Sequence, residues 1–176
     1  MWISRTTELS TWLISIQKNS HQQTHSDIVN MEQQYSIQRP SDESVQPHII
    51  QFIQSFYSVS DTPGETEKYV DMFTPDATFV VASKKASGHA EITTLREGMW
   101  DAVSSRKHTL DKVFPFGSGS DKVMLNGTVA LQLKSGASAE IEWAGRMELE
   151  KANDGKYRLK FYQVYLDTGA AAAYKK

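Results

Sequence analysis

A sustained rhythm of apolar and polar residues begins at Gln46. Before it, the stretches NSHQQTHSD and MEQQYSIQRPSDES hold few apolar residues and keep no period. Such a chain has too little surface to bury against the entropy of ordering. Residues 1–45 are therefore expected to form a polar, disordered leader, with a short helix around Glu8–Gln17 and Met31 as an alternative start. From Pro47, a residue suited to a first helical turn, Ile49, Ile53, Phe56 and Tyr57 recur at helical spacing through Ser60. Asp61-Thr62-Pro63-Gly64 reads as a turn. A second short helix, Glu65–Phe73, presents Tyr69, Met72 and Phe73 before Thr74-Pro75-Asp76 stops it. Ala77–Ser83 is β-rich, and Gly88 opens a third helix with Ile92, Leu95, Met99 and Val103 on one side. Four longer strand candidates follow, Lys107–Phe116, Lys122–Leu133, Ala139–Lys151 and Lys156–Asp167, separated by the turn signals GSGSD, KSGAS and ANDG.

This order predicts an α+β fold in which about three helices cover one face of a curved antiparallel sheet. Alternation assigns the faces. Val123, Leu125, Val129, Leu131 and Leu133 share one side of their strand, as do Ile141, Trp143, Gly145, Met147 and Leu149, opposite Glu140, Glu142, Arg146, Glu148 and Glu150. In the last strand, Arg158 and Lys160 place their row (with Tyr162, Val164 and Leu166) toward solvent. Leu159, Phe161, Gln163, Tyr165 and Asp167 are then expected to point inward. An amide, a phenol and a carboxylate on a buried row need partners, which a wet, ligand-sized cavity would supply.

Composition narrows the picture. The 176 residues suffice for one domain with a core, and 39% hydrophobic with 23% charged residues is a globular balance. A formal charge of −2 recommends neither nucleic acid nor an anionic membrane as partner. The absence of cysteine removes disulfides, thiolate nucleophiles and Cys-based metal sites, and fits a reducing compartment. The apolar stretch Trp12–Ile16 is too short to span a bilayer and lacks the features of a signal peptide, so a cytoplasmic location is expected. No two histidines or acids have a trusted metal-ligand spacing, and no cofactor or metal is expected.

The helix pair, the phrase YVDMFTPDATFVV, the Gly-led third helix and the FYQVYLD ending resemble the SnoaL-like branch of the nuclear-transport-factor-2-like superfamily. The resemblance covers roughly residues 46–168, leaving 169–176 as a tail. It implies a cone, with a bent sheet wrapped around helices and an apolar pocket at the open end. Related proteins include polyketide cyclases, scytalone dehydratase, ketosteroid isomerase, limonene epoxide hydrolase and non-catalytic binding or association modules. The wording is also similar to fungal members of secondary-metabolite pathways.

Two residues stand out as candidate acid–base groups. Asp167, if inward, would have its pKa raised by desolvation into the range of a general acid or base; alternatively it caps a turn with Thr168-Gly169. His108 titrates near neutrality, and its position is similar to that of pocket histidines in scytalone dehydratase; alternatively it is a structural histidine. Tyr57 resembles in placement the oxyanion-hole tyrosine of ketosteroid isomerase. With Phe73, Trp100, Trp143, Gln163 and Tyr165 it completes the expected substrate-binding set, although aromatic residues on inward rows are also ordinary core. Asp76 reads as structural. The resemblance implies a cofactor-independent polyketide cyclase, dehydratase or isomerase that moves a proton next to a carbonyl of a small apolar substrate; the alternative is a ligand-binding or dimerisation module. The apolar row Tyr162, Val164 and Leu166, with Met124 and Ala130, further predicts a homodimer through the outer sheet face.

Overall fold

Helix α1 (Pro47–Ser60) forms where the apolar spacing placed it, with Pro47 in its first turn. Its buried stripe of Ile49, Phe52, Ile53, Phe56 and Tyr57 becomes the centre of the core. The computed structural model describes residues 35–40, 44–167 and 169. After α1 come α2 (Thr66–Asp71), β1 (Phe73–Val81), β2 (Lys84–Ser87) and α3 (Gly88–Gly98). The chain ends in a run of strands, β3 (Val103–Pro115), β4 (Lys122–Leu133), β5 (Ser138–Lys151) and β6 (Tyr157–Leu166). Phe73 thus starts a strand instead of closing a helix. Gly88 adopts φ 73° between β2 and α3, a conformation that favours glycine.

The six strands form one curved sheet in the order β2-β1-β6-β5-β4-β3. Every pairing is antiparallel except β1 with β6, which run parallel. The expected inward rows of β4 and β5 hold: Val123 lies opposite Met147, Leu125 opposite Gly145 and Val129 opposite Ile141, and all six are buried.

The last strand departs from strict alternation. Leu149 pairs with Leu159, but the next residue back, Glu148, pairs with Phe161. Lys160 is the extra residue of a β-bulge, and one extra residue moves every later side chain to the other face. Leu159 stays inside, whereas Tyr162, at 3% exposure, replaces Phe161 on the inner row, followed by Val164 and Leu166. Gln163, Tyr165 and Asp167 turn outward, with Tyr165 45% exposed. Of the residues from which a sheet-face dimer was inferred, Tyr162, Val164 and Leu166 are therefore interior, while Met124 and Ala130 stay exposed.

Described residues ahead of Gln46 also join the domain. Tyr35 and Val45 are core residues, and Gln38 bridges to β3, donating to the Asp111 carbonyl at 2.8 Å and accepting from the Val113 amide at 3.0 Å. The expected helix at 8–17 and nearly all of the expected tail lie outside the described residues. Replacing Tyr35 by Ala is expected to lower unfolding free energy by about 3 kcal/mol, the cost of emptying a buried aromatic site. An unchanged urea midpoint would show that the Tyr35 ring adds nothing to the core.

Candidate active site

The end of α1 supplies an acid. Asp61 follows the last helical residue, and an acid there faces the negative end of the helix dipole. It is held by other partners. Its Oδ1 lies 2.5 Å from His108 Nδ1 and 3.6 Å from Arg106 Nε. Its Oδ2 accepts from the His108 amide at 2.8 Å and from the Tyr35 hydroxyl at 2.9 Å. The carboxylate has 7% of its side chain exposed and His108 has 14%. Its burial works against ionisation, but the bonds from His108 and Tyr35 outweigh it and hold Asp61 below the ordinary carboxylate value of 3.8.

His108, on β3, is wedged between aromatic rings. Tyr57 lies 4.8 Å away and Trp143 meets it edge-on at 5.5 Å. Burial lowers the imidazole pKa below 6.5; Asp61 pulls it up, while Arg106 and Lys107 push it further down. The ring is thus neutral at neutral pH. An ionised carboxylate 2.5 Å from Nδ1 requires the proton there, which leaves the Nε2 lone pair free. Nε2 has no hydrogen-bond partner among the described residues.

His108 contributes to the wall of an inner cavity of about 200 Å³. The other polar wall groups are Ser60, Tyr69, Arg106 and Tyr162, and the rest is apolar, including Val129, Leu131, Ile141 and Val164. Tyr162 and Tyr57 share a hydrogen bond, hydroxyl to hydroxyl, at 2.8 Å. Burial pushes both phenols far above their usual pKa, so both remain protonated.

Of the residues expected at the site, His108 lies in the cavity wall. Tyr57 and Trp143 pack against its ring from behind, and Trp100 stacks on Arg106 with 4.8 Å between guanidinium and ring. Phe73 is fully buried among Phe56, Tyr69 and Phe79. Gln163, Tyr165 and Asp167 are outside, because the Lys160 bulge reverses their face. Asp167 and Tyr165 border an open groove of about 770 Å³ on the outer sheet face, which shares only Leu166 with the inner cavity. Asp167 instead accepts from the Gly169 amide at 2.7 Å, the turn-capping alternative. Asp76 is tied to Thr74 and Lys160.

The acid of the site is therefore Asp61, read from sequence only as a turn residue. The signal that could have found it is its position at the negative end of a helix, where an acid needs cationic or donor partners. Among the described residues, no group of three or more acidic or His side chains could hold a metal ion. No helix there is long and apolar enough to cross a membrane.

No family model matches the sequence, and no curated protein sequence matches it. Solved structures do. Nuclear transport factor 2 from Cryptosporidium parvum has a TM-score of 0.59 at 15% identity, over 75% of this chain and all (100%) of that one. ActVI-ORFA from Streptomyces coelicolor has a TM-score of 0.57 at 20% identity, over 68% of this chain and 95% of that one. TerC, co-crystallised with polyporic acid, has a TM-score of 0.58 at 18% identity, over 72% and 97%. At these identities the likeness is one of fold, and the fold is nuclear-transport-factor-2-like, as the sequence resemblance implied.

The two depressed pKa values make stability acid-sensitive. The unfolded chain binds more protons than the folded one below each group's ordinary value, so stability rises with pH through those windows. His108 gives a contribution that is complete above 6.5 and lost as pH falls through its lower folded value. Asp61 does the same below 3.8. Unfolding free energy from urea titrations should be level from about pH 8 to 7 and decline below about pH 6.5. A rise in stability on acidification toward about pH 5 would contradict the neutral-imidazole assignment.

Proposed function

We propose that the chain is a cofactor-independent enzyme acting on a small cyclic carbonyl compound of polyketide type, as a SnoaL-like cyclase, dehydratase or isomerase. The observation that carries this reading is the His108 imidazole, held through Nδ1 by the buried Asp61 carboxylate in the wall of a largely apolar cavity. Nε2 takes a proton from the carbon next to the carbonyl, and the imidazolium so formed is stabilised by the Asp61 carboxylate. The electron pair left behind moves onto the carbonyl oxygen as an enolate. Tyr162 is placed to meet that charge, because it lines the cavity and its oxygen can accept from Tyr57 while its own proton is donated to the substrate. Return of the proton from His108 to another carbon gives isomerisation, and to a departing hydroxyl gives dehydration; in cyclisation the enolate carbon instead bonds a second carbonyl carbon of the substrate, whose oxygen takes the electron pair and then the proton.

The substrate can be found by deleting the gene in its host, identifying the compound that accumulates and offering it to the purified protein. Asp61→Asn and His108→Phe should each lower turnover by about 10²–10⁴-fold, the range of general acid–base catalysis. Asp167→Asn should convert it at the wild-type rate. Binding without conversion by the wild type would sink the catalytic reading in favour of a ligand-binding module. Full activity in Asp61→Asn would remove the dyad from the mechanism.

A further inference from the structure

The cavity corner beside His108 holds more positive charge than its surroundings neutralise. Arg106 lines the cavity there, and Arg96, wholly buried behind it, shares with it the Ser60 carbonyl and the Trp100 ring, at 5.1 Å for Arg96 and 4.8 Å for Arg106. Lys107 follows on β3. Asp61 is the carboxylate that acts on both guanidiniums, and it already serves His108. The corner also has more donors than acceptors. Arg96 Nε and Trp100 Nε1 are buried with no acceptor among the described residues. Such groups are costly to leave unmet.

Arg106 carries this surplus to the cavity wall. Its side chain is 10% exposed. Nε donates to the Ser60 carbonyl at 3.1 Å, and Nη2 donates to that carbonyl and to Ser60 Oγ. Closing the end of α1 thus accounts for Nε and Nη2. Nη1 reaches only Met99 Sδ at 3.7 Å, a weak acceptor, and Arg106, Met99 and Ser60 all line the cavity.

We infer that the cavity takes a ligand bearing an anionic oxygen, a carboxylate or an ionised enol or phenol, which accepts from Arg106 Nη1 while its apolar body lies against Val129, Leu131 and Ile141. A charge-assisted bond to a largely buried guanidinium is among the stronger polar contacts available. The 200 Å³ volume holds on the order of seven waters' worth of material, so the ligand is compact. The inference rests on reading this cavity as the substrate site and narrows the substrate from a neutral carbonyl compound to an acidic one.

Titration calorimetry with stable probes tests this without any turnover. One arm compares 2-naphthoate with its neutral isostere 2-naphthamide; the other compares pentafluorophenolate with neutral pentafluorobenzene. At least one anion is expected to bind about ten- to a hundredfold tighter than its neutral partner, as for hydrogen bonds to charged groups. The arm that does so tells carboxylate from phenolate. His108→Phe should keep the preference and Arg106→Gln should abolish it. Since Arg106 also closes α1, the wild-type protein gives a second reading: the bound anion should show a nuclear Overhauser contact to the Met99 methyl. Equal affinity within both pairs, no saturable binding of either anion, a preference that survives in Arg106→Gln, or no contact to Met99 would each overturn the inference. A catalytically silent protein that still prefers the anion would leave this inference standing while removing the enzymatic reading. Turnover of a neutral compound with no anion preference would do the reverse.

Discussion

Two guanidiniums meet on the carbonyl of Ser60, the last residue of α1. Arg96 Nη1 donates to it at 2.8 Å and reaches on to Val59 and Thr62, and Arg106 joins from β3. The last carbonyls of a helix need donors when they are buried, and they carry partial negative charge. Here α3 and β3 each send a cation to one helix end, so that end, the third helix and the sheet are fixed in mutual position. Arg96 is wholly buried for this purpose. With the helix closed there, the next residue, Asp61, is delivered to β3 at the height of His108. The chemistry of the site follows from the way one helix is terminated.

The same junction explains why the pair tolerates burial. A carboxylate out of water must have its oxygens engaged, and Asp61 meets donors from β3 and from the segment that precedes α1. Tyr35 is one of them, which ties residues ahead of the apparent domain boundary to the site. Their polar composition suggested a free leader, yet Tyr35 and Val45 enter the core and Gln38 bridges to β3.

The fold was legible because long periodic segments dominate it. The bounds of α1 and β4 were read to the residue, and the inward rows of β4 and β5 needed only alternation. Alternation failed in β6, where the Lys160 bulge inserts one residue into the count. No local signal marks it, since Lys160 looks like any solvent-facing residue, yet it moved Gln163, Tyr165 and Asp167 out of the interior. His108 could be found because its residue type is suited to proton transfer and its strand faces inward. Asp61 lies 47 positions away in sequence, and the turn motif around it offered a complete local explanation. Partners of that kind are set by tertiary packing and become visible only when the helix end and the strand are seen together.

The central claim is that Asp61 fixes His108 as a neutral base with its proton on Nδ1. Nitrogen-15 NMR of the histidine ring measures this directly, because protonated and unprotonated ring nitrogens differ widely in chemical shift. At about pH 7 the account predicts a protonated Nδ1 and an unprotonated Nε2 for His108, and loss of that tautomer preference in Asp61→Asn. A proton on Nε2, or a doubly protonated ring at that pH, would contradict it.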